Sequence, residues 1–229
     1  EGLQARQIIN TSDIQLNVPN VSFTNTNFGG NSFSIRGIGR LVTAGSGEAG
    51  VSAHINDIPV ASNLITSEYY DMERVEVLRG PLSFLYGGNS IFGAVNLKRK
   101  QPLAGQQFLQ ASYRLGSFDP FRIQFDFNRS SPGSSVAFRF NAMGQFSEGY
   151  RSNSNYQGAV NPAFRWDLNE QTTMTVNLEY VANEFEPDAG IPVIQDRIPP
   201  VPRRTSYGSG YDDSEQEIFR FRLDLESSL

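Results

Sequence analysis

The feature that most constrains the fold is a strict alternation of apolar and polar residues through the second half of the chain. From Gln106 onwards, apolar residues take every second position in six separate segments. Successive side chains of a β-strand point to opposite faces of its sheet, so this period of two is typical of strands. The segments cover residues 109–115, 121–127, 136–140, 160–168, 174–180 and 219–225. The sequence therefore predicts six strands.

Each predicted strand has a face rich in phenylalanine and leucine and an opposite face with charges of both signs. A water-soluble antiparallel sheet also alternates, but lipid-facing aromatics opposite a charged face are typical of transmembrane strands. Short connections are predicted at 116–120, 130–134 and 169–172, and long ones at 147–157 and 182–216. Pro162 lacks an N–H group and is expected at a bulge or near a strand end.

Composition excludes several classes of protein. The 229 residues have a net charge of −5, and there is no basic excess that would indicate a nucleic-acid partner. The chain has no cysteine and a single histidine, His54, so neither a thiolate metal site nor a Ser–His dyad is expected. We therefore expect no enzyme, no catalytic residue, no bound metal and no cofactor. No apolar run is long enough to predict a transmembrane helix.

The first hundred residues have a mixed pattern. A short amphipathic helix is predicted over 3–16, with a break near Asn10–Asp13. Strands are predicted at Ser32–Arg36, Val51–Pro59, Val75–Leu78 and Ala94–Leu97, and a helical turn at Tyr69–Arg74. The intervening loops are rich in glycine, but neither a dinucleotide-binding nor a Walker pattern is present. This order predicts a small α/β domain that binds no nucleotide.

Four motifs occur in a fixed order within this domain. They are Ile35-Arg-Gly-Ile-Gly39, Val51-Ser-Ala-His-Ile-Asn-Asp-Ile-Pro-Val60, Glu73-Arg-Val-Glu-Val-Leu-Arg-Gly-Pro81 and Leu85-Tyr-Gly-Gly-Asn-Ser-Ile-Phe-Gly-Ala-Val-Asn-Leu97. Over residues 8–102 the chain closely resembles the plug domain of TonB-dependent outer-membrane receptors. It departs from the family pattern at Asn56-Asp57-Ile58, where Asp-Gly is frequent, and at Phe92, where a second glycine is frequent.

The resemblance implies a fold. Residues 1–102 would form an α+β plug domain that lacks its N-terminal part. Residues 103–229 would form the first six or so antiparallel transmembrane β-strands of a large outer-membrane barrel. Because barrels of this class have about 22 strands, we expect the chain to be an N-terminal fragment.

The resemblance also implies a function. It is active import of a scarce nutrient across the outer membrane of a Gram-negative cell, with a ferric siderophore as the first expectation. Cobalamin, haem and oligosaccharides are the alternatives. The expected partners are TonB with ExbB and ExbD, the ligand, and outer-membrane lipid and lipopolysaccharide. A signalling receptor of the same family, and a soluble secreted module with a β-sandwich, remain open.

The sequence offers two groups of candidate site residues: residues that anchor the plug and residues that face the ligand. By resemblance, the motif arginines Arg36 and Arg79, with Glu76 beside them, anchor the plug to the inner barrel wall. The alternative is that these charges form ordinary ion pairs within the domain. Ligand-facing positions are expected at the loop apices of the plug, and this expectation rests on loop placement alone. These positions are Asn27, Phe28, Arg40, Leu41, Asn63 and Leu64.

Overall fold

The computed structural model divides the chain into two compact units, Glu1–Lys100 and Gln101–Leu229. It describes residues 8, 10–25, 31–39, 50–61, 65, 68–87, 90–116, 121–149, 151, 153–188, 190–194, 196–208 and 212–228.

The first unit begins with a short helix, α1 (Ser12–Asn17). Asn10 and Asp13 cap it reciprocally: the Asp13 N–H donates to Asn10 Oδ1 at 2.9 Å, and the Asn10 N–H donates to Asp13 Oδ2 at 3.0 Å. The predicted break near Asn10–Asp13 is therefore the start of this helix. Residues 1–7 and 9, where the predicted helix was to begin, lie outside the described residues.

Seven strands among the described residues of the first unit form two sheets. Strands β1 (Val21–Asn25), β2 (Asn31–Ile35) and β3 (Ile38–Gly39) form an antiparallel sheet in that order. Strands β4 (Val51–Ile55), β5 (Ile58–Val60), β6 (Met72–Arg79) and β7 (Gly93–Arg99) form the second sheet. Its order is β5-β4-β7-β6, with β4 and β7 parallel and the other pairs antiparallel.

Two predictions for this unit were wrong. The single strand predicted over Val51–Pro59 is a hairpin, because Asn56 and Asp57 have φ values of 48° and 70° and reverse the chain between β4 and β5. The helical turn predicted at Tyr69–Arg74 is absent from the described residues, and β6 begins at Met72 instead. Pairing of β6 with β7 overrides the helix propensity of Met72, Glu73 and Arg74.

The core of the first unit is aliphatic and aromatic, and it is shared by both sheets. Phe33 and Ile35 of β2 are buried together with Val95 and Leu97 of β7, and Ile14 of α1 joins the same cluster. The Phe23 and Phe33 rings lie 5.2 Å apart between centroids. Burial of this apolar surface is what keeps the two small sheets together.

The second unit is a six-stranded antiparallel meander. Its strands are β8 (Gln107–Arg114), β9 (Phe121–Arg129), β10 (Val136–Glu148), β11 (Ser154–Asp167), β12 (Thr172–Phe185) and β13 (Ser214–Ser227). Each strand pairs with its neighbours in sequence. All six predicted strands are present, and most are longer than the alternation indicated.

In the first unit, a four-residue helix, α2 (Ser83–Tyr86), lies between β6 and β7.

The structure corrects two details of these strands. The long connection predicted at 147–157 is short, because pairing continues to Glu148 opposite Ser154. Pro162 lies in the middle of β11 opposite Phe140, not at a bulge or a strand end. The β11–β12 ladder is interrupted at Asn161 and Pro162 and resumes in the same register, which accommodates the missing N–H. Among the described residues, no helix is long and apolar enough to cross a membrane.

Candidate functional site

Arg36 occupies a strained position in a tight hairpin. It has a φ of 56° and Gly37 a φ of 78°, so both central residues of the β2–β3 turn are left-handed, as a two-residue type I′ turn requires. An L-residue with a long side chain seldom adopts this conformation, which costs about 1–2 kcal/mol. The Arg36 side chain is exposed, and no described residue forms an ion pair with it. Such strain at a charged residue is typical of functional positions.

Arg79 ends β6 and is also exposed, with no ion-pair partner among the residues that the structure describes. It lies opposite Gly93, the first residue of β7. A Cβ added to Gly93 would lie 2.4 Å from the Leu78 carbonyl oxygen and 2.5 Å from Ile35 Cδ1. The backbone φ of Gly93 is 152°. Only glycine therefore permits the close approach that sets the end of β6 and the position of Arg79.

Glu76 is committed to contacts within the first unit. Its Oε1 accepts from Arg74 Nε at 2.7 Å, and its Oε2 accepts from Asn96 Nδ2 at 2.8 Å. The same Asn96 amide donates to Asp57 Oδ1 at 2.8 Å, and its oxygen accepts from the Asp57 N–H at 3.1 Å. The buried Asn96 on β7 thus connects β6 to the β4–β5 turn. These contacts favour the alternative of an internal ion-pair network for Glu76, whose anchoring role stays a prediction.

The last residues of the first unit are held by a buried ion pair. Arg99 and Asp71 are 4% and 1% exposed, and Arg99 Nη1 donates to Asp71 Oδ2 at 2.5 Å. The Arg99 N–H donates to Asn56 Oδ1 at 2.8 Å, and the Lys100 N–H donates to the Asp71 carbonyl at 2.8 Å. The Arg99 guanidinium also lies 5.9 Å from the centre of the Tyr70 ring.

His54 is buried on β4. Its Nε2 shares a 2.9 Å hydrogen bond with Ser52 Oγ, which shares one of 2.5 Å with Ser90 Oγ. The Tyr86 ring packs edge-on against the imidazole, with centroids 4.9 Å apart. Burial lowers the pKa of His54, and the nearby Asp57 opposes this shift without cancelling it. This histidine packs and hydrogen-bonds in the interior of the first unit.

The six predicted ligand-facing residues, Asn27, Phe28, Arg40, Leu41, Asn63 and Leu64, lie outside the described residues. Their role stays a prediction. In the parts of the chain that the structure does describe, no group of three or more acidic or histidine side chains is placed to hold a metal ion.

The second unit exposes its apolar face. In β13, Phe219 and Phe221 are 71% and 62% exposed, and exposed apolar residues recur at every second position across the sheet. Further examples are Phe121, Phe125, Phe138, Phe164, Leu178, Leu223 and Leu225. A water-soluble sheet would bury such a face, whereas lipid solvates it.

The opposite face is polar, and much of it is buried. Its buried members include Arg122, Asp126, Asn128, Arg139, Asn141, Gln145, Asn161, Asn177 and Glu179. Several pair across strands: Arg139 binds Asp126 through two bonds of 2.8 and 2.9 Å, and Arg220 binds Glu179. Buried charges of this kind are tolerated because they are paired.

Aromatic residues flank the apolar band of this sheet. Phe146 and Tyr156, at one end of β10 and β11, have ring centroids 4.7 Å apart. Trp166 lies near the other end of β11 and is exposed. The ten residue steps from Tyr156 to Trp166 correspond to about 33 Å along the strand, or about 23 Å when it is tilted by 45°. This height agrees with the apolar band of outer-membrane strands.

Sequence reasoning missed Asn96, Asn128 and Arg139, which are among the most connected polar residues. Asn96 was read only as a residue of the fourth motif, and the other two only as polar positions of alternating strands. Their one local signal is a hydrogen-bonding side chain beside strongly apolar residues, and that signal does not identify the partner.

Comparison with known proteins agrees with this architecture. The family model of the TonB-dependent receptor plug domain matches residues 1–94. The metal-pseudopaline receptor CntO of Pseudomonas aeruginosa is 33% identical over 157 residues, which are 66% of this chain and 22% of that protein. The catecholate siderophore receptor Fiu of Escherichia coli K12 is 28% identical over 187 residues, which are 81% of this chain and 24% of that protein.

A solved structure extends the similarity across the second unit. The siderophore receptor PiuA from Acinetobacter baumannii superposes with a TM-score of 0.84 at 25% identity, over 99% of this chain and 33% of that one. The chain thus spans about a quarter of the two curated relatives and a third of the solved receptor. The matched plug domain, the strands that follow it and the exposed apolar face agree with one another, and the chain belongs to the TonB-dependent receptors of the Gram-negative outer membrane.

Proposed function

We propose that this chain is part of a receptor that actively imports a ferric siderophore across the outer membrane. The proposal rests on the pairing of a compact plug-domain unit with a sheet that exposes phenylalanine and leucine and buries paired charges. The names of relatives support the substrate class, since they are described as metal-pseudopaline and catecholate siderophore receptors. Cobalamin, haem and oligosaccharides are the alternative ligands.

The mechanism that we propose uses the plug as a movable barrier. Ligand binds from outside, between the plug apices and the barrel wall. The outer membrane has no ATP, so energy comes from the proton gradient of the inner membrane through TonB, ExbB and ExbD. The barrel is embedded in lipid and lipopolysaccharide. TonB pulls on the plug and opens a path for the ligand.

We assign the plug to residues 1–102 and the first barrel strands to 103–229. The compact unit that ends at Lys100 and the polar face of the strands that follow support this division. A secreted module with a β-sandwich is disfavoured, because its core would require the phenylalanine face of these strands to be buried.

We propose that Arg36 and Arg79 anchor the plug to carboxylates of the inner barrel wall. Both guanidinium groups are exposed, and both lack an ion-pair partner among the described residues. Arginine binds carboxylates through two parallel hydrogen bonds, which suits a reversible anchor. Glu76 contributes indirectly at most, since Arg74 and Asn96 occupy both of its oxygens.

We place the ligand at the plug apices, near Asn27, Phe28, Arg40, Leu41, Asn63 and Leu64. Such a site is concave and combines a few polar groups with aromatic and aliphatic ones. The six positions supply amide, guanidinium and apolar groups, which suit a large, partly charged chelate.

Growth under iron limitation tests the substrate class. Deleting the gene is expected to slow growth when iron is available only through siderophores, and plasmid expression of the gene should restore it. A deletion strain that grows normally under iron limitation, with no iron-regulated expression of the gene, would contradict the siderophore assignment. A defect confined to cobalamin-, haem- or glycan-limited medium would identify an alternative ligand.

A further inference from the structure

The first six residues of the second unit, Gln101–Gln106, are hydrogen-bonded to the strands that follow them. At the start of this segment, Arg139 Nη1 donates to the Gln101 carbonyl at 2.8 Å. The arginine itself is fixed by its two bonds to Asp126, and its guanidinium lies 5.3 Å from the centre of the Phe108 ring. Arg139 therefore connects the segment to three strands of the sheet.

Asn128 holds the middle of the segment. Its Oδ1 accepts from the Leu103 N–H at 2.9 Å, and its Nδ2 donates to the carbonyls of Leu103 at 2.9 Å and Gln106 at 2.8 Å. Asn128 is 0% exposed. The side chain amide thus uses both of its N–H groups and its oxygen on the main chain of one short segment.

Ser130 holds the end of the segment. Its Oγ accepts from the Gly105 N–H at 3.0 Å and donates to the Val136 carbonyl at 2.8 Å, while its own N–H donates to the Gln106 carbonyl at 3.0 Å. Gly105 has a φ of 68°, which lets the segment turn into β8.

These contacts are costly to break. Releasing the segment would leave the Asn128 amide without its three bonds and Arg139 Nη1 without its bond to Gln101, although Arg139 would keep its two bonds to Asp126. A buried polar group that loses its partner carries the full desolvation penalty. Hydrogen bonds to the charged Arg139 are stronger than bonds between neutral groups. On the other side of the junction, Arg99 and Lys100 are bonded within the plug.

We propose that Asn128 and Arg139 act as a fixed stop, so that displacement of the plug ends before Gln101. The inference rests on the proposed function, since it concerns how far a plug pulled by TonB can move. Residues up to Lys100 move with the plug, while Gln101 and Pro102, the last two residues assigned to it, stay with 103–106 on the barrel strands during transport. Asn128 and Arg139 are positioning residues and contact no ligand.

Hydrogen exchange of the purified full-length receptor tests the stop at rest. Asn128→Ala is expected to accelerate exchange of the Leu103 amide about tenfold, which corresponds to the loss of one buried hydrogen bond. Asn141→Ala is the matched control: Asn141 is a buried asparagine on the same polar face, and its amide has no hydrogen-bond partner within the described part of the chain. Unchanged exchange in Asn128→Ala, or equal acceleration in Asn141→Ala, would overturn the proposal.

Single cysteine reporters test the fixed stop during transport. Because this chain has no cysteine of its own, each reporter is introduced into the otherwise unaltered sequence. Ser83→Cys reports on the plug and Leu103→Cys on the segment; Ser83 is exposed and Leu103 is 37% exposed. In iron-starved cells, TonB is expected to accelerate maleimide labelling of the Ser83 reporter and leave the Leu103 reporter unchanged.

The outcomes separate the two proposals. Acceleration at both reporters overturns the fixed stop and leaves plug movement intact. Labelling that is independent of TonB at both reporters contradicts the proposed function, and the inference fails with it. Acceleration at Ser83 alone supports both.

Discussion

At the scale of single residues, Gly93 shows how one position determines the geometry of a candidate anchor. Gly93→Ala is expected to destabilise the β6–β7 pair by about 2–4 kcal/mol, because the added Cβ meets the Leu78 carbonyl and Ile35 at a φ that alanine seldom adopts. Amide hydrogen exchange of β6 and β7 measures this. Gly158→Ala is the control, since a Cβ there meets no atom within 4 Å. Equal exchange in both variants would contradict the close-packing role.

Arg79 makes a prediction about retention of the plug. Arg79→Glu places a negative charge against the carboxylates proposed on the barrel wall, so plug retention should weaken and large antibiotics should enter the cell faster. Arg204→Glu makes the same change of charge at an exposed loop arginine and should leave permeability unchanged. Normal permeability and transport in Arg79→Glu would argue against the anchor and for an ordinary surface charge.

His54 makes a prediction about pH. Its pKa is below the usual 6.5 in the folded plug, so the unfolded chain binds more protons in the interval between the two values. The contribution of His54 to plug stability should therefore be fully present well above pH 6.5 and be lost as the pH falls through that value. The measurement is the rate of limited proteolysis of the plug in the purified receptor between pH 7.5 and about 5. His54→Gln should flatten this dependence, and an unaltered pH profile in that variant would exclude His54 as the cause.

At the scale of elements, the sequence predicted the strands in which apolar and polar residues alternate. Six strands were foreseen because each has an apolar face and a charged face that alternate within the segment itself. The pairing of Ser147 and Glu148 with Asn155 and Ser154 was not foreseen, because these four residues are all polar and alternation disappears while backbone pairing continues. The β4–β5 hairpin was missed because Asn56-Asp57 lacks the glycine that commonly marks such a turn.

Arg151 holds two separate parts of the loop that joins β12 to β13. Arg151, in the β10–β11 turn, contacts both arms of this loop: Nη1 donates to Asp188 Oδ2 at 2.5 Å, and Nε donates to the Arg203 carbonyl at 3.0 Å. Arg151→Ala should therefore release both arms at once. Lysine can replace the ion pair but not the second directional bond, so Arg151→Lys should have an intermediate effect.

Limited proteolysis of intact cells measures the order of this loop. Cleavage within residues 186–208 should become several-fold faster in Arg151→Ala, whereas Arg204→Ala, which removes an exposed arginine of the same loop, should cleave at the parental rate. If the two variants behave alike, Arg151 does not order the loop.

At the scale of the whole molecule, the plug and the strands differ in which side chains they bury. The plug buries Phe33, Ile35 and Leu97, as a water-soluble domain does, whereas the strands expose Phe219 and Phe221 and bury Glu179. This inversion follows from the solvent that each face meets, and alternation in the sequence was enough to predict it. Cross-strand partners such as Asp126 for Arg139 were beyond prediction, since they depend on a register that the sequence does not specify.

Radioiron uptake tests the central claim most directly. Iron-starved cells that produce the full-length receptor, and matched cells that lack TonB, are supplied with radioiron complexed by the siderophores of their own culture supernatant. The account predicts accumulation that requires both the receptor and TonB, and that collapses when the proton gradient is dissipated. Accumulation that is equal with and without TonB, or with and without the receptor, would contradict it.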